Sequence, residues 1–408
     1  MRVNLENAMH EAARLDAEDP LSHFRAKFVR HEDPVAYLDG NSLGRPPKPT
    51  LQRVARLLEY EWGERLIRSW DERWVDLPVE VGDRLGAVVI GAAAGQTVIA
   101  DSTTVNLFKV LHAACGLRPD RDEIVVDAAN FPTDRYVVES VAASRGLTVR
   151  WLRPDPESGV TVDLLARVLG SRTAVVLLSH VDYRSAYLAD IAGLTTLTHD
   201  AGAVVVWDLC HSAGVVPVRL DDVGADFAVG CTYKYLNAGP GAPAFLYVAA
   251  GHLEAVRQPI EGWFGAEDVF AMAPAYKPAT GIRRMLSGTP SIVGVVAVDE
   301  GVGMVAEAGL SRIRGKAAAL TGFAIELTDA WLAPHGWSVA SPRDADERGG
   351  HIVVRGHDAA GVADELMRSG VVPDFRNPDL VRLGLSPLTT SFAEVATALS
   401  IMRGIIAP

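Results

Sequence analysis

Cysteine is scarce in this chain of 408 residues. The three present, Cys115, Cys210 and Cys231, are too few and too scattered for a disulfide framework or a zinc cage. Basic residues are outnumbered, 39 Lys plus Arg against 51 Asp plus Glu, giving a formal net charge of −12. That balance argues against nucleic acid or an anionic membrane as the main partner. No apolar run approaches the roughly 20 residues that cross a bilayer, and no apolar segment of a secretory signal follows Arg2. Repeats, low-complexity tracts and long flexible linkers are also missing. What is present is an ordinary globular composition, 49% hydrophobic and 22% charged, with length for two or three domains at roughly 150 residues each. The expectation is a cytoplasmic protein of more than one domain.

Leu5, Met9, Ala12 and Leu15 recur at helical spacing, so residues 5–16 predict a short amphipathic helix. AYLDGNSLGRPPKPT, dense in Gly, Asn and Pro, is a turn-rich loop. Between about 85 and 250 the texture changes. EIVVD (123–127), LTVRWL (147–152), TAVVLLSHV (173–181), AVVVWD (203–208) and DFAVGCT (226–232) are apolar strand-like runs separated by segments of helical length. Near-continuous apolar strands alternating with helices describe a mostly parallel sheet covered on both faces, an α/β domain. From Ile292 to about Leu332 the chain predicts one or two helices, interrupted near Gly309 and Gly315, followed by a smaller α/β layer. The expected organisation is an N-terminal segment (1–60) packing with the small domain, a large domain (61–290) and a small C-terminal domain (291–408).

The richest stretch chemically is Val204–Gly241. One strand ends in Asp208, followed by Cys210 and His211; a second, around Phe227–Thr232, delivers Tyr233 and Lys234 into a glycine-containing loop. Open α/β sheets bind ligands beyond the carboxyl ends of their strands, so these groups can share a crevice. A carboxylate near a lysine is what pyridoxal 5′-phosphate (PLP) needs: the lysine forms the Schiff base, and the Asp keeps the ring nitrogen protonated. Spacing alone equally permits a turn-capping Asp and a surface Lys. Three other patches bear on the choice. Ser102, Thr103 and Thr104 precede a helical run and suit an anion, or a plain N-cap. NFPTDRY sets Phe131 and Asp134 just past a strand, as a ring-stacking pair or as part of a Pro-containing turn. Arg382, in an otherwise apolar strand, must pair with a carboxylate, whether the protein's or a substrate's.

Taken together with YLDGNSLG (37–44), STTVNL (102–107), NFPTDRY (130–136), DLCHSAG (208–214), TYKYLNAGPG (232–241), GWFG (262–265) and DFRNPDLVRLGLSPL (374–388), the chain resembles the kynureninases. These are PLP-dependent hydrolases of the aspartate aminotransferase, or fold-type I, superfamily. The resemblance implies a large, mixed but mostly parallel sheet domain with a smaller C-terminal α/β domain. It implies hydrolysis of L-kynurenine, or its 3-hydroxy form, to anthranilate (or 3-hydroxyanthranilate) and L-alanine in tryptophan catabolism. It makes Lys234 the Schiff-base lysine, Asp208 the partner of the ring nitrogen and Phe131 its stacking residue, with Pro132, Thr133, Asp134 and His211 around the ring. Thr103, Thr104, Ser179 and Tyr233 match cofactor-binding positions, several of them around the phosphate; Tyr233, adjacent to the lysine, is the expected general acid for the late protonation. Arg382 matches the arginine that holds the substrate α-carboxylate, and Ser42 falls near the aromatic end. Trp263 and Thr289 match positions given to the neighbouring subunit's site, which implies a homodimer. Thr289, where vertebrate-type members carry Asn, fits the form that takes kynurenine itself. No metal is implied.

Among rivals on this fold, a cysteine desulfurase needs a nucleophilic cysteine late in the chain, whereas the last one here is Cys231. An aminotransferase would exchange amino and keto groups and break no C–C bond. A scaffold that had lost catalysis would need none of Lys234, Asp208, Tyr233 and Arg382.

Overall fold

A computed structural model of the chain describes residues 5–31, 34–155 and 157–407. In chain order its strands are β1 (Ala36–Tyr37), β2 (Thr97–Ala100), β3 (Glu123–Asp127), β4 (Thr148–Leu152), β5 (Thr173–Ser179), β6 (Val204–Asp208), β7 (Phe227–Gly230), β8 (Ala244–Val248), β9 (Ser338–Val339), β10 (His351–Arg355), β11 (Val371–Val372), β12 (Asp374–Arg376) and β13 (Leu380–Gly384). The α-helices are α1 (Leu5–Glu18), α2 (Lys48–Arg56), α3 (Leu77–Leu85), α4 (Thr103–Gly116), α5 (Pro132–Arg145), α6 (Val162–Ala166), α7 (Ile191–Asp200), α8 (Leu220–Val223), α9 (Ile292–Ala308), α10 (Leu310–Trp331), α11 (Ala359–Arg368) and α12 (Phe392–Ile406).

Seven strands form the large sheet in the order β2-β8-β7-β6-β5-β3-β4. Pairing is parallel from β7 through β4, while β8 runs antiparallel to both of its neighbours. The period of two explains why the strands read as unbroken apolar runs. Val204 and Val206 enter one core with α4 and α5, and Val205 and Trp207 enter the other, which includes α3 and α9. Asp208 and Ser179 lie side by side in the β5–β6 register. The carboxyl ends of β2, β3, β5, β6 and β7 therefore open on one edge, where α4 and α5 also begin.

The strand expected over Phe227–Thr232 ends at Gly230, and Cys231 and Thr232 already belong to the turn that carries Lys234. Only Gly309 breaks the long C-terminal helical stretch, with φ of 81°. Gly315 lies within α10, whose buried face continues through Ile313, Lys316 and Ala317.

A four-stranded sheet, β12-β13-β10-β9, packs with α1, α10, α11 and α12 around a third apolar core. β1 pairs with β11, and Asp39 bridges to Gly384, so the loop between β1 and α2 is carried on the smaller sheet. α1 lies in this smaller core, whereas Leu21, Phe24, Phe28 and Leu57 lie in the large one, as does α9. Among the described residues, no helix is long and apolar enough to cross a membrane.

Asp19, just past α1, and Lys316 of α10 form a 2.7 Å ion pair whose side chains are 2% and 3% exposed. Burying the pair is costly, but removing one partner strands the other charge. Lys316→Met is expected to destabilise the fold by about 3 kcal/mol in urea unfolding, and adding Asp19→Leu is expected to recover most of it. A loss under about 1 kcal/mol in the single variant would show that the pair does not hold α1 to α10.

Candidate active site

The two parallel strands β6 and β7 set the chemistry. Asp208 at the end of β6 is buried, and its Oδ1 accepts from the Cys210 N–H at 2.7 Å. Beyond β7 the chain folds into a turn in which the Asn237 N–H donates to the Lys234 carbonyl (3.0 Å) and the Thr232 hydroxyl to the Pro243 carbonyl (2.7 Å). That turn presents Lys234 to His211, with Nζ 2.9 Å from Nε2. Burial, and next the Lys234 charge, push the His211 pKa well below the ordinary histidine range. A neutral imidazole facing an ammonium accepts at Nε2 and so carries its proton on Nδ1.

YLDGNSLG gains a physical reason here. The Gly44 N–H donates to the Tyr233 carbonyl at 2.8 Å. A Cβ at Gly44 would lie 2.3 Å from the Lys234 carbonyl oxygen and 2.2 Å from the Asn237 side-chain oxygen. The loop from the smaller sheet lies flush against the lysine turn, and only glycine permits that approach.

A third strand end supplies the other carboxyl group. Past β3, the Asn130 amide donates to Asp134 Oδ2 (3.1 Å), while its Oδ1 accepts from the Ser179 hydroxyl and the Phe131 N–H (both 2.7 Å). Pro132 opens α5, where a missing N–H costs nothing. Asp134 is held well above the usual carboxylate range, first by burial and then by the Asp208 charge. It keeps its proton and can donate it to Asp208, leaving one negative charge for the pair. At the head of α4, Ser102 caps by accepting from the Val105 N–H (3.4 Å), and Thr103 and Thr104 form the first turn.

These groups surround one cavity of about 120 Å³, lined by Thr103, Thr104, Phe131, Thr133, Asp134, Ser179, Asp208, His211, Tyr233 and Lys234, together with Val181, Tyr183 and Cys210. Burial, ahead of the neighbouring thiols, raises the Tyr233 phenol far above its ordinary range, so it holds its proton. Pro132 does not line this cavity. A larger cavity of about 290 Å³ lies beside the same helix terminus, lined by Asp101, Ser102, Thr289 and Ser291 among others. Thr289 thus opens there and not onto Lys234. Trp263 is also absent from the lysine cavity; it is 39% exposed, next to Phe270 at 50%.

Arg382 of β13 is 1% exposed. Its guanidinium donates to the Tyr183 carbonyl and to the Ser42 hydroxyl, each at 2.7 Å, and ion-pairs with Asp374, with Asp39 at 3.7 Å. Ser42, expected near the aromatic end of a substrate, therefore sits on the arginine. Arg376 pairs with Asp374 at 2.6 Å and lies over the Tyr183 ring at 5.7 Å. That ring meets Phe131 edge-on at 5.3 Å. Asn130, Tyr183 and Asp374 were not singled out from the sequence. Tyr183 and Asn130 lie just past strand ends, where ligand groups gather, and Asp374 stands opposite Arg382 in the β12–β13 register; position was their signal.

The donor set fits PLP. It offers an amine for the aldehyde, a singly charged carboxyl pair for a ring N–H, an aromatic half-open to the cavity, and hydroxyls at a helix N-terminus for a dianion. Solved structures share this fold. A cysteine desulfurase from Thermococcus onnurineus superposes with a TM-score of 0.80 at 20% identity, over 97% of this chain and 98% of its own. C-DES, in a form with glycine linked to PLP, gives 0.80 at 18% identity, over 90% and 96%. Fold and site define a PLP-dependent enzyme of fold type I.

Sequence relatives narrow this further. Curated kynureninases from Pseudomonas fluorescens and Burkholderia pseudomallei are 42% and 41% identical, over 97% of this chain and 95% of theirs. The family model for the kynureninase C-terminal domain matches residues 313–402. The chain belongs to the kynureninase family.

Gly44→Ala is expected to push the Lys234 turn out of place. PLP should be retained about tenfold more weakly in a titration of the stripped protein, with stability lowered by about 1–3 kcal/mol. Wild-type retention of PLP would mean that the turn can absorb the clash.

Proposed function

We propose that this chain hydrolyses L-kynurenine to anthranilate and L-alanine in tryptophan catabolism, as a cytoplasmic homodimer with sites shared between subunits. The observation that carries it is a lysine and a carboxyl pair in one cavity, with a buried arginine joined to that cavity through the Tyr183 carbonyl. Overall, one water is consumed, the Cβ–Cγ bond breaks, the aryl carbonyl leaves as anthranilate, and the β-carbon takes a proton to become alanine.

Bound PLP would supply an electron sink for the pair left on the α-carbon when its proton goes to a base, and for the pair of the breaking C–C bond. Lys234 is the group this chain offers to hold it, and once free of it, a base for the α-proton. Asp208, backed by protonated Asp134, would hold a positive ring nitrogen, and Phe131 would cover the ring. Thr103 and Thr104 would hold the phosphate. Arg382 takes the α-carboxylate and fixes which bonds face Lys234. Tyr233, beside Lys234 and protonated over the working pH range, donates the late proton. Trp263 and Thr289, neither of which lines its own chain's lysine cavity, complete the partner's site, and Thr289 favours kynurenine over its 3-hydroxy form.

Purified protein with PLP is expected to be yellow and to release fluorescent anthranilate and alanine from L-kynurenine. Lys234→Ala should lose the visible band; a surviving band would assign the wrong lysine. Tyr233→Phe should keep the band and lose at least about 100-fold in kcat. Transamination without anthranilate would overturn the hydrolase reading.

Mixing inactive Lys234→Ala with inactive Trp263→Ala protein is expected to restore about one quarter of wild-type activity, because mixed dimers hold one intact site. No recovery after subunit exchange would place each site within one chain.

A further inference from the structure

Beside Lys234 lies a group of buried polar atoms that the chemistry above does not use. His211 Nδ1 and both ring nitrogens of His351 have no hydrogen-bond partner among the described residues. His351 is wholly buried, at the start of β10 in the smaller sheet, and its ring centroid is 5.4 Å from that of His211 at a tilt of 55°. In the β10–β13 register His351 stands opposite Gly384 and Val353 opposite Arg382. His351 and Arg382 are thus diagonal neighbours on one face of the smaller sheet.

The tautomers follow from the partners. His211 accepts at Nε2 from Lys234, so Nδ1–H needs an acceptor. Two imidazoles joined by one N–H···N bond have centroids about 5 Å apart, close to the spacing seen here. The groups around His351 are His211, Arg382, Lys234 and Arg376, with the Tyr183 carbonyl. Burial first, then the Arg382 and Lys234 charges, keep its pKa well below the ordinary range, so it too is neutral, with one donor and one acceptor nitrogen. The Tyr183 carbonyl is the one group of the set that favours a proton on His351, and the same carbonyl accepts from Arg382 at 2.7 Å.

We propose that His351 is a positioning residue whose ring, after a small turn, accepts the Nδ1 proton of His211 and donates to the Tyr183 carbonyl, satisfying the three unpartnered nitrogens and joining Lys234 to Arg382 by one directed run of hydrogen bonds. The inference deepens the proposed function and rests on it for the roles of those two residues. The run Lys234–His211–His351–Tyr183 carbonyl–Arg382 crosses from one sheet to the other. Occupying Arg382 with a substrate carboxylate changes the pull on the Tyr183 carbonyl, and through His351 it alters how strongly His211 draws on the lysine.

Histidine-labelled nitrogen NMR on PLP-free protein tests this without turnover. His211, assigned by loss of its signals in His211→Asn, is expected as a single Nδ1–H tautomer, with His351 neutral across pH 6–8. In His351→Phe, of similar volume, His211 should become a mixture of tautomers, and His351→Gln, whose amide can accept and donate, should restore one. With PLP bound, His351→Phe should shift the pH dependence of the visible band and lower kcat about tenfold, with the KM for kynurenine within about twofold. His351→Gln should recover most of both. A doubly protonated His351 or an Nε2–H tautomer of His211 in the wild-type protein overturns the proposal even if the variants fail to fold. So does a His351→Phe variant with the wild-type tautomer and pH profile. Failure of wild-type protein to cleave kynurenine would count against the proposed function and leave the tautomer result standing.

Discussion

Everything at the site depends on β6 and β7 ending side by side. Their parallel pairing puts Asp208 opposite Val229, so the turn after β7 must pass the carboxylate, and Lys234 arrives beside His211. A one-residue slip would turn every side chain of β7 to the other face and move Phe227 and Val229 out of their core. The apolar cores on the two faces of the sheet thus fix the register, and the register fixes the distance between the two reacting groups. Gly44 completes the constraint by letting the smaller sheet's loop press on the lysine turn.

Much of this was legible in the sequence because it depends on short-range pattern. The strand runs EIVVD and VVVWD lie where the apolar spacing puts them, and Asp208 and Lys234 share the expected crevice. What the sequence hid were contacts between segments far apart in the chain. Asn130 and Tyr183 act through a backbone carbonyl or a side-chain amide that any loop could carry, and Asp374 matters because it stands across a strand from Arg382. Gly315 looked like a helix break, but its neighbours Ile313 and Ala317 are buried, and packing of that face outweighs the ~1 kcal/mol penalty of a helical glycine. Gly309, with positive φ, has no such support.

The net charge of −12 describes the exterior and not the site. Around the cavity lie Lys234, Arg382 and Arg376, and each affects its neighbours: both buried histidines are driven neutral in part by these cations. Asp134 answers from the other side by keeping its proton beside Asp208. The same low-dielectric setting thus holds two histidines neutral and one aspartate protonated, an arrangement that gives each hydrogen bond a single direction.

Arg382 shows why the direction matters. A guanidinium at 1% exposure is tolerable only if its donors are met, and here Asp374, Ser42 and the Tyr183 carbonyl meet them. Arg376 and Asp39 extend the set to two arginines and two aspartates, balanced in charge. Burial, and further the Asp374 charge, raise Asp39 above the usual carboxylate range. An incoming α-carboxylate therefore competes with groups already in place, and it need not displace the bond to the Tyr183 carbonyl to do so. That carbonyl belongs to the backbone, cannot titrate, and stays between the arginine and the histidines whichever carboxylate holds Arg382.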